Sequence, residues 1–323
     1  MNEHWPEVTV LIPARPGQTE VKAVAAAKKL SYPREKLEIL VLRGKQPSVQ
    51  RNAGMRAARG KLIYFLDDDS VAGPENLARI VKHFEDARVK LVGGPNVCPG
   101  DAPWLETVFA LVLGCWLAFG PSRARYSAVG KLRPTSEKEL ILCNLIALRE
   151  PLLELGGFNE ALYPNEENAL MDEMQKRGGI LLYDPAFVVE RRPRANLRSF
   201  AKMLQTYGRG RAEQWRVNPT FGSALNFVPP LFCVYLLAIP LLMLTPLGIK
   251  FVGATLAAYL AAVLIQVLVI SPRAGVARSI ATAPLILLTH ILYGLGFWKG
   301  LFTSLKPRNS ATTPVEIERV SLE

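Results

Sequence analysis

"KLIYFLDDDS", residues 61–70, places an unbroken apolar run directly before three consecutive carboxylates. A short apolar stretch bounded by Gly60 on one side and polar residues on the other reads as a strand buried on both faces. Asp67, Asp68 and Asp69 repel one another, and taking any of them out of water is costly unless a partner compensates. Two readings stand at this point. Asp69 and Ser70 could cap a following helix, or carboxylates at a strand's exit could hold a divalent cation against a phosphate ligand.

The surrounding chain sets the fold class. "VTVLIPAR" (8–15) and "LEILVL" (37–42) are further β-branched or aliphatic strands. "TEVKAVAAAKKL" (19–30), "SVQRNAGMRAARG" (48–60) and "PENLARIVKHFED" (74–86) read as helices, the second capped by Ser48 and ended by Gly60. "VKLVGGPNV" (89–97) is another strand. This alternation predicts a mostly parallel three-layer α/β sheet, in which ligands bind outside the carboxyl ends of the strands. The three aspartates stand at one such end.

The chain has 323 residues and a formal net charge of +11, which suits a membrane surface or an anionic substrate. Basic clusters interleaved with aromatics are absent, so no nucleic-acid partner is expected. Cys98, Cys115, Cys143 and Cys233 are scattered with no histidine nearby, which argues for buried free thiols and against zinc. Three histidines in unrelated segments give a His-based triad little support. The opening "MNEHWPEV" lacks the apolar core of a signal peptide.

From Phe221 the composition changes. Residues 224–247, 249–270 and 280–301 are candidate spans of about twenty residues, interrupted by prolines that allow a re-entrant path or tight hairpin. The basic segment 191–216 predicts a cytoplasmic position for what precedes the spans, and Arg273 and Arg278 agree. Lys299, Lys306 and Arg308 do not, because three full crossings would place them outside. "PWLETVFALVLGCWLAFG" (103–120) is too short for a comfortable crossing. It reads either as a buried helix or as an interfacial element anchored by Trp104 and Trp116. The expected division is a catalytic domain over 1–220, a membrane domain over 221–305 and a polar tail over 306–323.

"VLIPAR", "PSVQRNAGMRAARGKLIYFLDDDS" and "LILCNLIALREPLLELGGFNEALYPNEENAL", in that order, resemble family 2 glycosyltransferases of the GT-A fold, over about residues 8–215. The closing "THILYGLGFWKG" is similar to membrane-anchored members related to succinoglycan-chain enzymes of exopolysaccharide biosynthesis. The resemblance implies a Rossmann-like nucleotide-diphospho-sugar transferase domain followed by transmembrane helices. It implies that Asp67 and Asp69 hold Mg²⁺ or Mn²⁺ against the donor diphosphate, with Asp68 facing the ribose or solvent. It places Pro13, Ala14 and Arg15 by the nucleotide base and Arg51 and Asn52 near phosphate or the sheet edge. Glu166 and Glu167 fall where the family carries its acceptor base, with Glu167 the favoured residue.

Two departures stand out. Arg43 stands where the family commonly has an acid that reads uracil. "YGRGRAEQW" replaces the motif of processive synthases, which leaves Arg209 and Arg211 as diphosphate or acceptor-phosphate contacts, or as lipid contacts. The resulting expectation is an inverting glycosyltransferase at the inner cell membrane, multi-pass with its catalytic domain cytoplasmic. It would move a sugar from a nucleotide-diphosphate donor to a lipid-linked or glycan acceptor. The alternatives are a lapsed membrane scaffold that binds nucleotide sugar, and a nucleotidyltransferase.

Overall fold

The computed structural model describes residues 5–162, 164–217, 219, 221–305 and 314–322. The chain forms two compact units. One comprises Met1–Pro99, Ala124–Arg192 and Lys306–Glu323; the other comprises Gly100–Arg123 and Pro193–Leu305. In this grouping the 100–123 segment falls with the apolar C-terminal helices, and the tail falls with the sheet.

In the first unit, β1 (Val8–Ala14), α1 (Lys22–Ala27), β2 (Leu37–Arg43), α2 (Pro47–Ala57) and β3 (Leu62–Leu66) follow the expected alternation. The apolar runs of β1 and β3 are fully buried because helices cover both faces. Val8, Val10, Ile12, Tyr64 and Leu66 pack with Ala23 and Ala27 on one face, while Leu11, Ile63 and Phe65 pack with Met55 on the other. Next come β4 (Val71–Ala72), α3 (Asn76–Ile80), β5 (Val89–Gly93) and β6 (Asn96–Val97). In the second unit lie α4 (Trp104–Leu113) and α5 (Trp116–Phe119). The first unit resumes with β7 (Arg133–Pro134), β8 (Asn144–Leu148), α6 (Arg149–Glu154), α7 (Glu166–Lys176), β9 (Ile180–Tyr183) and β10 (Val189–Glu190).

The second unit continues with α8 (Leu197–Val217), α9 (Val228–Leu242), α10 (Pro246–Ala274) and α11 (Val276–Phe302). The chain ends with β11 (Glu316–Arg319), which returns to the first unit. The large sheet has the order β11-β2-β1-β3-β8-β5-β9-β7, and a small one the order β4-β10-β6.

The expectation of a mostly parallel sheet is corrected. β1 pairs in parallel with β2 and β3, and β5 with β9, but β8 lies antiparallel between β3 and β5. β7 and β11 are antiparallel edges. The helix cap at Ser48 is also corrected: Gln46 precedes the helix, Pro47 opens it, and Ser48 is buried within its first turn. Asp69 and Ser70 cap no helix, since β4 follows them directly.

Between β5 and β6 the backbone of Gly94 presses on the carbonyl of Phe187, where an added Cβ would overlap backbone atoms that cannot swing aside. Gly94→Ala is expected to cost about 3 kcal/mol, the upper part of the overpacking range, read as a lowered thermal midpoint.

In the second unit, α8 and α11 meet along a small-residue seam. Gly208 faces the carbonyl of Tyr293, Gly296 that of Gln205, and Gly300 that of Arg209, a spacing that lets two backbones approach. α4 joins this unit through Phe109, stacked on Phe200 at 4.2 Å. The pair α4 and α5 is bent by 60°. Trp104 and Trp116 are exposed, while Val108, Phe109, Val112 and Leu113 of α4 are buried. Three helical stretches, Ala224–Leu242, Pro246–Ala274 and Val276–Phe302, are long and apolar enough to cross a membrane. They carry exposed leucines such as Leu237, Leu241 and Leu247. Lys306 and Arg308 lie outside the described residues.

Candidate active site

The end of β3 turns sharply: the Ser70 amide donates to the Asp67 carbonyl at 3.1 Å, which fans the three carboxylates apart. Asp67 accepts from Arg51 Nη2 at 2.8 Å and pairs with Arg191 Nη1 at 3.0 Å. Asp69 pairs with Arg191 Nε at 2.5 Å. Asp67 and Asp69 thus converge on one cation, the guanidinium of Arg191. Asp68 points elsewhere and accepts from Gln18 Nε2 at 2.8 Å. The backbone carbonyl of Gln18 in turn accepts from Arg43, which pairs with Glu318 of β11 at 2.9 Å.

Arg51 joins the aspartates to the second acidic pair. Its other nitrogen, Nη1, lies 3.4 Å from Glu166 Oε1. Both side chains are buried, and the surroundings hold unpartnered atoms: Arg51 Nε, Glu166 Oε2 and Ser48 Oγ. Buried polar atoms without partners are uncommon in folded proteins and concentrate where a ligand or reaction is served.

Burial, reinforced by the charge of Glu167, pushes the Glu166 carboxyl up to about 8, against the opposing pull of Arg51. Glu166 therefore holds its proton at neutral pH. Glu167, the next residue, is half-buried, with Asn168 Nδ2 at 3.4 Å. Both glutamates open α7, whose preceding residue, Asn165, sits at φ 94°. That left-handed conformation stores strain beside the acidic pair. Two adjacent carboxyls in unlike environments are the arrangement by which acid and base roles separate.

Pro13 and Ala14 end β1, and Arg15 is exposed just beyond, its amide donating to Gln18 Oε1. The Asn52 amide is committed to the 157–160 turn: it donates to the Phe158 carbonyl and to Glu160 Oε1, and accepts from the Phe158 amide. Arg209 and Arg211 lie on α8 in the second unit, Arg209 3.3 Å from Glu213 and Arg211 3.2 Å from Gln214. Cys143 adjoins the Arg191 cluster, and burial pushes its thiol up to about 12, so it stays protonated. All four cysteines are free thiols; Cys115, Cys143 and Cys233 are buried and Cys98 is half-buried.

Sequence reasoning missed Arg191 and Gln18. Arg191 opens a run of basic residues that reads as a membrane-facing segment, and the signal that separates it is its place directly after β10.

Two carboxylates aimed at one cation are an oxygen donor set suited to Mg²⁺ or Mn²⁺, which are commonly held by one or two carboxylates plus substrate phosphates. Among the described residues no three His, Cys, Asp or Glu side chains converge as a complete metal cage. Asp67 and Asp69 thus fit a cation shared with a ligand.

No curated protein sequence matches the chain. Residues 20–129 match the model of glycosyl transferase family 2, a segment that includes Arg51 and all three aspartates. Among solved structures, the mannosyltransferase PcManGT from Pyrobaculum calidifontis, in complex with GDP-Man and Mn²⁺, aligns with a TM-score of 0.53 at 15% identity. The alignment covers 93% of this chain and 88% of that one. S. aureus TarS 1–349, in complex with UDP, aligns with a TM-score of 0.44 at 10% identity over 91% and 90% of the two chains. Residues 20–129 thus carry the glycosyl transferase family 2 match, the chain shares its fold with a GT-A glycosyltransferase, and the sheet unit's residues up to Arg192 are followed by apolar helices long enough to cross a membrane.

Proposed function

We propose that this chain is an inverting glycosyltransferase, moving a sugar from a nucleotide-diphosphate donor to a lipid-linked or glycan acceptor at the inner face of the cell membrane. The observation that carries the reading is Arg51, which ties Asp67 at 2.8 Å to Glu166 at 3.4 Å and so joins the diphosphate side of the site to the acceptor side. The structurally similar mannosyltransferase holds GDP-Man with Mn²⁺, which supports a nucleotide-sugar donor and a divalent cation here.

In this mechanism Asp67 and Asp69 hold the divalent cation. Bound there, a divalent cation would supply charge neutralisation for a departing diphosphate. Arg191 and Arg51 add fixed positive charge beside the same oxygens. Pro13, Ala14 and Arg15 flank the base, and Asp68 with Gln18 forms the wall toward the ribose. Glu167 takes the proton of the acceptor hydroxyl as the new bond forms at the anomeric carbon. Protonated Glu166 and the 157–160 turn held by Asn52 keep Arg51 in place. Arg209 and Arg211 serve phosphate or lipid headgroups from α8.

The test is release of nucleoside diphosphate from a panel of GDP- and UDP-sugars by the full chain in lipid, with and without Mn²⁺ or Mg²⁺. Turnover with one donor is the expected result. Release of pyrophosphate from a nucleoside triphosphate and a sugar 1-phosphate, with no diphosphate released from any nucleotide sugar, would identify a nucleotidyltransferase, and tight donor binding without turnover a lapsed scaffold.

A further inference from the structure

β11 pairs antiparallel with β2 in a continuous register, Glu316 against Arg43 through Arg319 against Leu40. Arg43–Glu318 and Arg319–Glu38 ion pairs fasten it, and Ile317 packs against the core beneath. The chain therefore leaves the sheet unit after Arg192, passes through every candidate span, and re-enters the same unit by its tail. The segment from Gly100 to Arg123 does the same on a smaller scale.

We infer that the chain crosses the membrane an even number of times, so that at most two of its three candidate spans are crossings and the bent pair α4–α5 is none. The inference rests on the membrane attachment proposed above and adds its topology.

The physical ground is the bilayer itself. A folded sheet cannot sit on both faces of a hydrocarbon core about 30 Å thick. Three crossings would put residue 303 on the far side, and β11 would then have to return through lipid. Residues 306–313 reach at most about 29 Å when fully extended, and include Lys306 and Arg308. Extended charged backbone finds no hydrogen-bond partners in hydrocarbon, so that return is closed.

The helix lengths agree. α9 has 15 residues, about 22 Å of rise, and carries Pro240 within it; α10 and α11 have 29 and 27 residues. The first of the three stretches is therefore the shortest, and reaches 19 residues only with the turn that precedes α9. The odd charge pattern at the end of the sequence resolves as well, because Lys299, Lys306 and Arg308 then lie on the side of the basic segment that precedes the spans.

The test places single cysteines in a Cys98→Ser background: Lys29→Cys on the sheet unit and Ser321→Cys after β11. Each full-length protein is probed in intact and in permeabilised cells with a membrane-impermeant maleimide. Both sites are expected to stay unlabelled in intact cells and to react after permeabilisation, to within about twofold of each other. An epitope fused after Glu323 should be shielded from protease in the same way, a second readout that does not depend on the Ser321 substitution. Labelling of Ser321→Cys in intact cells while Lys29→Cys waits for permeabilisation, or the reverse, would overturn the even count. Labelling of both in intact cells would uphold the even count and remove the inner-face placement instead. Recovery of the protein in the aqueous fraction would overturn membrane attachment and this topology together.

Discussion

Asp69→Asn is expected to lower kcat/KM about a thousandfold, roughly 4 kcal/mol of transition-state stabilisation, while leaving the thermal midpoint unchanged. Asp69 and Asp67 converge on one guanidinium, so losing either carboxylate removes half of the proposed cation site. Asp69, however, is 47% exposed, and an ion pair that open to water contributes little to folding. Asp67 differs, because it also compensates buried Arg51. Asp67→Asn should match the activity loss and in addition destabilise the protein, since it removes one of the two partners of a buried charge. Steady-state release of nucleoside diphosphate and a thermal melt, run on both variants, separate the effects. Full activity in Asp69→Asn would sink the assignment of the aspartates.

Glu167→Gln is expected to cost between a hundredfold and ten-thousandfold in kcat, the range of a lost general base, with donor KM little changed. Glu166→Gln should cost far less at pH 7, because burial already keeps Glu166 protonated up to about 8 and glutamine copies that neutral state. A second readout separates the pair. Folded Glu166 titrates near 8 and an unfolded glutamate near 4.5, so the folded state holds an extra proton between those values. The stability this confers is complete below about pH 4.5 and fades as pH rises through about 8. The wild-type thermal midpoint should therefore fall between pH 6 and 9, and Glu166→Gln should flatten the fall. The reverse ranking of activities would make Glu166 the base.

Much of this site was legible because it is local. The runs of β1, β2 and β3 declare their strands, and the aspartates follow β3 without an intervening residue. What escaped depends on partners far along the chain. β8 is as apolar as its neighbours, and nothing in "NLIAL" says that it enters the sheet antiparallel between β3 and β5. β11 reads "EIER", with one apolar residue, and becomes a strand only because β2 offers an edge. Arg191 was lost among other arginines, since its meaning lies 122 residues away at Asp69. Ser48 shows the opposite failure: a local rule favours it as a cap, but Pro47 already opens the helix.

The strand that closes the sheet's edge is made long after the edge it closes. Arg43 and Glu318 are 275 residues apart, a length of chain that takes on the order of tens of seconds to synthesise. Throughout that interval the outer edge of β2, with its row of unpaired amides and carbonyls, stands open beside nascent apolar helices, and an open edge recruits other strands. Final closure of the sheet therefore has to await residues 316–319, which follow every candidate span, and this makes the period of membrane delivery the vulnerable stage in the life of this molecule. A chain shortened before Glu316 would carry that sticky edge permanently, and aggregation during expression, more than lost chemistry, would be its first symptom.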